Sequence, residues 1–280
     1  MLDDAFQAAI GAFREADLVA FGERHWARAD ADFRLRLVRD PAFVALAPVI
    51  VVEFAGARRQ PLLDRLVDGE SPVSDEASAI WRETTQRGAW DSPVYEEFLL
   101  AVRCLNAGLP CARRLRVLAA DGPREGAHEG NARDRFAAAV IEREVLARGR
   151  KALVVFGALH LYRTVAGNIT DCLPRARWFV TVPLGGPDVS AALASESASP
   201  ADPALLPLAG HGAGALAAND LFERGTKRVR MADGKPLTVD GRLVLEPAQV
   251  FAPGVRARDA ADACLYFGPA PPEFVPPPRL

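Results

Sequence analysis

Short apolar runs alternate with amphipathic stretches over the first two thirds of the chain. Apolar residues near helical spacing over 3–16 predict a helix, and the mostly apolar run 17–22, stopped by Gly22, predicts a buried strand. The β-branched run 49–54 is typical of a central parallel strand. The same patterns predict strands at 115–120, 151–156 and 178–184, and helices at 31–38, 41–46, in stretches of 60–106, and at 134–148. This alternation predicts an α/β fold with a mostly parallel central sheet flanked by helices.

The pattern changes after Gly185. Residues 185–218 are dominated by Ala, Ser, Pro and Gly, which predicts a long loop or cover with one weak helix. Over 228–250 the turn signals at 233–234 and 240–241 predict short antiparallel strands, and the proline-rich stretch 269–278 predicts an extended tail. We therefore expect an α/β core over 1–184 and a loop-rich C-terminal appendage over 185–280 that packs on the same domain.

Composition and charge are those of an ordinary globular protein. Half of the 280 residues are apolar, a quarter are charged, and the formal net charge is −2. This balance favours neither nucleic acid nor an anionic membrane as a partner, so we expect a small-molecule or peptide ligand. The four cysteines form no C-x-x-C pair, which predicts reduced thiols. No apolar run approaches the roughly 20 residues of a membrane helix, and no basic segment precedes the first apolar run, so a cytoplasmic location is expected.

A repeated pattern at the ends of two predicted strands indicates a functional site. The stretches 19–25 (VAFGERH) and 154–160 (VVFGALH) each place G-x-x-H directly after a buried strand. Two of the chain's four histidines, His25 and His160, therefore occupy matching positions. Glycine permits a sharp exit from a strand, and ligands bind beyond the carboxyl ends of parallel strands. Both imidazoles are thus expected to point into one crevice.

Two acidic residues belong to the same predicted site. Glu53 ends a strand after four apolar residues, where a carboxylate is costly unless it is paired, protonated or bound to metal. Glu23 lies two residues before His25, where it can serve as a ligand or base, or cap the next helix. Two histidines with one or two carboxylates suit a divalent transition metal, or an acid–base pair without metal. The alternative is that each histidine has only a structural role.

A longer series of residues runs in a familiar order along the chain: Gly22-Glu-Arg-His25, Glu53, Gln60, Trp90-Asp91, Tyr95, Asp121-Gly-Pro-Arg124, Arg133-Asp134 and Gly157-Ala-Leu-His160. In these positions the chain resembles a superfamily that includes the ChaN-like haem-binding proteins, the Tiki/TraB metallopeptidases and the erythromycin esterases. The likeness covers residues 15–185. It implies an α/β fold whose site lies at the strand ends.

Each branch of this superfamily implies a different role for the same residues. The resemblance to the Tiki/TraB branch implies His25, Glu53 and His160 as metal ligands. The resemblance to the esterases implies His25 as the base that activates water, supported by Glu23 and Glu53, although the esterase pattern has one more residue between its Glu and His. The ChaN-like branch matches the Gly-Glu-x-His spacing and the middle segment best, and it implies a haem ligand. The further histidines that usually follow in that branch are absent here.

Six further residues complete the predicted site. Trp90, Asp91 and Tyr95 are expected either to line the pocket or to pack in the core. Arg133 is expected to contact an anionic ligand or to hold Glu53. Asp121, just after a strand, is predicted at the rim, and Arg163, three residues beyond His160, is predicted to contact an oxyanion or carboxylate unless it is merely solvated.

These residues lead to two hypotheses about function. The first is a hydrolase in which His25, Glu53 and His160 hold a water molecule, with or without a divalent metal, for attack on an ester or amide. The alternative is a non-catalytic protein that binds haem or another flat apolar ligand beside Trp90 and Tyr95. No G-x-S-x-G elbow, P-loop or dinucleotide fingerprint is present, which disfavours serine hydrolases, NTPases and Rossmann oxidoreductases.

Overall fold

The computed structural model describes residues 3–46, 49–70, 74–122, 131–185, 203–222, 225–228, 238–239, 242–243, 245–269 and 271–278. Its strands are β1 Asp3–Asp4, β2 Leu18–Glu23, β3 Val49–Gly56, β4 Val117–Asp121, β5 Ala152–Gly157, β6 Trp178–Pro183, β7 Ala204–Pro207, β8 Gly225–Arg228, β9 Thr238–Val239, β10 Arg242–Leu243, β11 Leu245–Ala248 and β12 Ala263–Tyr266. Its α-helices are α1 Ala5–Ala12, α2 Arg28–Arg39, α3 Pro41–Leu46, α4 Gln60–Val67, α5 Ser74–Arg82, α6 Pro93–Ala107, α7 Ala132–Glu144, α8 Ile169–Cys172, α9 Ala218–Leu221 and α10 Ala257–Ala260.

One sheet of eight strands forms the centre of the fold, in the order β1-β7-β12-β6-β2-β5-β3-β4. The six strands from β12 to β4 are parallel, whereas β7 runs antiparallel to β12 and β1 runs antiparallel to β7. Strands β2, β3, β4 and β5 are buried along their whole length, as their unbroken apolar runs require when helices cover both faces of a parallel sheet. The predicted α/β fold with a mostly parallel sheet is confirmed.

Two apolar cores cover the two faces of this sheet. The first contains residues of α1, α2, α4 and α6 packed on alternate side chains of β2 and β3. The second contains residues of α7, α8, α9 and α10 packed on the opposite side chains of the same strands. Successive side chains of a strand point to opposite faces, so each central strand contributes to both cores. The sheet is therefore held between the two cores, and this packing fixes the positions of the strand ends.

The C-terminal part of the chain is more closely integrated than the sequence indicates. Strands β7 and β12 belong to the central sheet itself, and β7 falls in the stretch predicted as a loop or cover. The four-residue run of β7 is too short to stand out among the surrounding Ala, Pro and Gly residues. The predicted short antiparallel strands are present as the pairs β8–β11 and β9–β10. The predicted turns at 233–234 and 240–241 lie outside the described residues.

Strand order brings the carboxyl ends of four strands together. The neighbours β2, β5, β3 and β4 end at Glu23, Gly157, Gly56 and Asp121, and Glu23 pairs with Gly157 in register. The pairing of β3 with β4 shifts between Val52 and Gly56, an irregularity that includes Glu53. Such bulges re-aim a side chain at the edge of a sheet.

None of the helices in the described ranges has the length and apolar character to cross a bilayer.

Candidate functional site

Glu23, at the end of β2, is a buried carboxylate that orients His25. Its Oε1 lies 2.9 Å from His25 Nδ1 and accepts a 2.8 Å hydrogen bond from the Tyr95 hydroxyl. The guanidinium of Arg34 forms an ion pair with the other oxygen, Oε2. A carboxylate held in this way accepts hydrogen bonds, so the shared proton belongs to Nδ1 of His25. The basic nitrogen of the neutral imidazole is then Nε2.

Tyr95 and Arg34 support Glu23 from the core. Burial raises the pKa of the Tyr95 phenol above its ordinary value, which keeps this hydroxyl a hydrogen-bond donor at neutral pH. Burial lowers the pKa of Arg34 to about 10, which still leaves the guanidinium charged at neutral pH. Trp90 packs edge-on against both the His25 ring, at 4.8 Å between centroids, and the Tyr95 ring, at 5.0 Å. The imidazole therefore has a rigid aromatic wall behind it.

Glu53 is the most central carboxylate of the site. Its Oε1 is 2.6 Å from Arg133 Nη2 and 3.4 Å from His160 Nε2, while its Oε2 accepts a 2.7 Å hydrogen bond from the Gly157 amide. The side chain is only 1% exposed. Burial alone would raise the pKa of Glu53, but the charge and hydrogen bond of His160, the charge of His25 in its protonated form and the charge of Arg133 hold that pKa well below its ordinary range. Glu53 is thus a fixed negative charge.

His160 follows β5 in a short 3-10 helix, Ala158–His160, and faces two carboxylates. Its Nδ1 is 2.8 Å from Asp134 Oδ1, at the beginning of α7, and its Nε2 faces Glu53. Burial by itself lowers the pKa of His160, but the charges of Glu53 and Asp134 and their hydrogen bonds raise it to about 10. His160 is therefore an imidazolium at neutral pH, with both ring nitrogens protonated.

Arg133 links Glu53 to the end of β4. Its Nε lies 3.2 Å from Asp121 Oδ1, which also accepts a 2.7 Å hydrogen bond from the Thr85 hydroxyl. The Thr85 amide donates to the other Asp121 oxygen. Burial raises the pKa of Asp121, and the positive charge of Arg133 opposes this shift. Burial by itself would lower the pKa of Arg133, but the negative charges of Glu53 and Asp121 outweigh it, so the pKa of Arg133 is raised. Arg133 thus forms an ion pair with Glu53, which is one of the two roles expected for it.

The His25 ring lies directly over the backbone of Gly157. A Cβ atom built on this glycine would be 2.8 Å from His25 Cε1, 2.9 Å from His25 Nε2 and 3.4 Å from Glu53 Oε2. The histidine side chains remain 33% (His25) and 21% (His160) exposed, whereas Glu23 and Glu53 are 3% and 1% exposed. The two imidazoles are therefore the accessible part of a site whose carboxylates are buried behind them.

Two predicted site residues lie elsewhere. Asp91 forms a 2.6 Å ion pair with Arg82 Nε, and Arg163 forms an ion pair with Asp262 and donates a hydrogen bond to the Trp178 carbonyl. The guanidinium of Arg163, which was predicted to contact a ligand beside His160, reaches toward the amino end of β6 and not toward the carboxyl ends. A cleft of about 1090 Å³ at that opposite edge, between α7 and 172–177, does not include the histidines.

Several members of the site could not be assigned from the sequence. The sequence marks Asp134 only as an acid at the beginning of a helix, and nothing in the local pattern connects it with His160. Arg34 lies on the buried face of α2 but belongs to no recognisable motif, and Thr85 lies in an irregular stretch. A buried Arg on a core helix implies a buried carboxylate partner, which is the one signal that could have revealed Arg34.

The predicted metal ligands come together, but their arrangement does not fit a divalent metal. Both oxygens of Glu53 are engaged by Arg133 and the Gly157 amide, and both ring nitrogens of His160 face carboxylates, those of Asp134 and Glu53. Arg133 supplies the positive charge next to Glu53 that a cation would supply. Within the part of the chain that the structure describes, no group of three or more His, Cys, Asp or Glu side chains is arranged to hold a metal ion.

The aromatic residues do not fit a haem-binding surface either. Trp90 and Tyr95, predicted beside a flat ligand, are completely buried, and the Tyr95 hydroxyl is bonded to Glu23. A planar ligand needs an open aromatic face, and both rings instead pack against other side chains. The prediction that these two residues belong to the core, which was the other expectation for them, agrees with this burial.

Comparison with known proteins gives a likeness of fold. No protein-family model matches the chain, and no curated protein matches it. A solved structure of a protein from Bacillus cereus has a TM-score of 0.52 and 10% identity, and the match covers 95% of this chain and 91% of that one. A structure of cofacial haem binding to ChaN of Campylobacter jejuni has a TM-score of 0.47 and 14% identity, covering 63% and 85%. The type III effector HopBA1 has a TM-score of 0.43 and 18% identity, covering 65% and 84%. At these identities, what the chain shares with the Bacillus cereus protein is the fold alone.

Proposed function

We propose that the protein is a hydrolase of ester or amide bonds in which His25 is the general base and His160 is a positively charged partner. The observation that carries this proposal is the different setting of the two imidazoles. His25 is oriented through Nδ1 by Glu23, whereas His160 is held between Asp134 and Glu53 with its pKa raised to about 10. The site therefore combines an imidazole that a carboxylate orients for proton transfer with an imidazolium that carries positive charge.

In the proposed reaction a water molecule attacks the carbonyl carbon of the substrate. The water oxygen forms the new bond to carbon while one of its protons passes to Nε2 of His25. Glu23 stabilises the resulting imidazolium through the proton on Nδ1, as the carboxylate does in other His–carboxylate pairs. The carbonyl π electrons move to oxygen, and the charged His160 ring stabilises that developing negative charge.

Collapse of the tetrahedral intermediate completes the reaction. The oxyanion electrons re-form the carbonyl double bond as the bond from carbon to the leaving oxygen or nitrogen breaks, and the leaving group takes the proton that His25 accepted from water. Glu53 remains ionised throughout, because its pKa is far below neutrality, and its negative charge keeps His160 protonated. Arg133 in turn limits the negative charge of the cluster formed by Glu53 and Asp121.

The alternative, non-catalytic haem binding, has less support from the described residues. Its predicted aromatic contacts, Trp90 and Tyr95, are buried, and both ring nitrogens of His160 face carboxylates. Haem binding through the Nε2 atom of His25 would still give a Soret band that disappears in a His25 variant. An absorbance titration with haemin therefore belongs to the test of the proposal.

The test is a hydrolysis assay on a panel of chromogenic aryl esters and aryl amides. We expect His25→Ala to lower kcat by about 10²–10⁴-fold, the usual contribution of a general base, with a comparable loss in His160→Ala. His211→Ala is the matched control, since His211 lies in the C-terminal part of the chain and its Nδ1 accepts a hydrogen bond from the Ala213 amide. Turnover that survives in both site variants would refute the proposal. Saturable haemin binding without turnover would favour the alternative.

A further inference from the structure

The residue next to His25 has an unusual backbone conformation. Trp26 has φ of 67° and, within the described parts of the chain, is the one residue other than glycine with a positive φ. The left-handed region is sterically unfavourable for an L-residue, and bulky residues adopt it only when their surroundings impose it. Contacts around Trp26 must therefore hold the backbone in this conformation immediately after the proposed general base.

Three separate segments hold Trp26. The indole Nε1 donates a 2.6 Å hydrogen bond to the Ala89 carbonyl, before α6. The Trp26 amide donates to the Tyr95 hydroxyl at 3.4 Å, and the Trp26 carbonyl accepts a 2.8 Å hydrogen bond from the Val275 amide. Both backbone groups and the side chain of Trp26 are thus bonded, each to a different part of the chain.

Residues 273–275, which we name the C-terminal strap, lie along this loop in an extended conformation. Phe274 forms an antiparallel bridge with Ala27, and the Glu273 carbonyl accepts a 2.9 Å hydrogen bond from the Arg28 amide. On its other side, the Val275 carbonyl accepts a hydrogen bond from the hydroxyl of Ser92, which is buried at the beginning of α6. The strap therefore connects the His25 loop to the helix that carries Tyr95.

Tyr95 joins the strained backbone to Glu23, the carboxylate that orients His25. Its hydroxyl accepts from the Trp26 amide and donates to Glu23 Oε1, the same oxygen that bonds His25 Nδ1. A change of φ at Trp26 would turn the peptide group that follows His25. It would also move the Trp26 amide away from Tyr95. Either movement shifts the imidazole relative to Glu23 and Gly157.

We propose that the C-terminal strap is a positioning element for His25, because it holds Trp26 left-handed and so keeps the imidazole bonded to Glu23 and above Gly157. The inference rests on the proposed function for its catalytic consequence, but the position of the ring is measurable without any substrate. Val275 and Ser92 are the positioning residues, because each acts on the His25 loop through a hydrogen bond of the strap.

The test compares two variants that break strap hydrogen bonds with one that does not. Val275→Pro removes the amide that donates to Trp26, and Ser92→Ala removes the hydroxyl that holds the Val275 carbonyl. Phe274→Ala is the control, because this side chain is 50% exposed and the substitution leaves the hydrogen bonds of the strap backbone in place. The tautomer of His25 is read from imidazole ¹⁵N shifts, which are simple to assign in a chain with four histidines.

We expect wild type and Phe274→Ala to show His25 with its proton on Nδ1. In Val275→Pro the proton should redistribute toward Nε2, with a smaller change in Ser92→Ala, while the signals of His160 stay in place. With a substrate in hand, kcat should fall by about 10–100-fold at nearly unchanged KM, the usual effect of a misplaced catalytic group.

The outcomes separate the strap from the proposed function. A wild-type His25 tautomer in both strap variants overturns the inference, whatever happens to activity or thermal stability. A redistributed tautomer supports the positioning role even when no ester or amide is hydrolysed, in which case only the proposed function fails. Ser92→Ala keeps the test decisive if Val275→Pro does not fold.

Discussion

Gly157→Ala tests the close approach between His25 and the end of β5. The backbone of Gly157 has φ of −53° and ψ of 137°, a conformation that alanine adopts without strain. Any cost of the substitution therefore comes from the space the new methyl group needs. That space is taken by His25, whose Cε1 and Nε2 lie 2.8 and 2.9 Å from the position of the new Cβ.

The size of the effect follows from these distances. Carbon atoms in contact are ordinarily about 3.5–4.0 Å apart, so the imidazole must move by roughly 0.6 Å or more. Overpacking of this kind destabilises the folded state by about 1–3 kcal/mol. Alanine also restricts the unfolded chain more than glycine does, which offsets about 0.4–1 kcal/mol of that loss. We expect a net destabilisation of about 1–2 kcal/mol. A displacement approaching 1 Å at a catalytic base lowers kcat by about 100-fold.

Urea unfolding and the hydrolysis assay measure the two effects, with Gly11→Ala as the matched control. Gly11 lies in α1, and among the described residues no atom outside its chain neighbours and the backbone of its own helix lies within 4 Å of the position that a Cβ would take there. The same substitution should therefore stabilise the fold by about 0.5–1 kcal/mol and leave kcat unchanged. The two variants are thus expected to change stability in opposite directions. A Gly157→Ala protein as stable as wild type, with an undisturbed His25 ring, would refute this geometry.

Three further predictions concern the charges and hydrogen bonds of the site. The pKa of His160 is raised from 6.5 to about 10 in the folded state, so its contribution to the free energy of unfolding is complete below pH 6.5 and disappears as the pH rises toward 10. In Asp134→Asn an NMR titration should show a lower His160 pKa and this pH dependence should shrink; an unchanged pKa would contradict the role of Asp134. Tyr95→Phe should lower the free energy of unfolding in urea by about 1–3 kcal/mol, because Glu23 and the Trp26 amide lose a buried hydrogen-bond partner. Tyr266→Phe is the control, and an equal loss of stability in both variants would argue against the Tyr95 hydrogen bonds. Dialysis against a chelator should leave turnover unchanged, and a loss that zinc restores would show that the residues around Arg133 do accept a metal.

The local features of this fold and site could be predicted from the sequence. Apolar runs identified β2, β3, β4, β5 and β6 to within a few residues, because a strand buried on both faces admits few polar residues. The repeated G-x-x-H placed His25 and His160 at strand ends, and the apolar context of Glu53 marked a carboxylate that needed partners. These inferences required only the immediate neighbours of each residue.

What only the tertiary structure decided is which strands are neighbours and which groups share a proton. The sheet order places β5 between β2 and β3, and this puts Gly157 next to both Glu23 and Glu53. Asp134, which bonds His160, belongs to α7, and Arg34, which pairs with Glu23, belongs to α2. The positions of both side chains depend on how these helices pack against the sheet. Such pairings join residues far apart in the chain, and the packing energy that selects them is spread over two whole cores. No local pattern of apolar and polar residues encodes it.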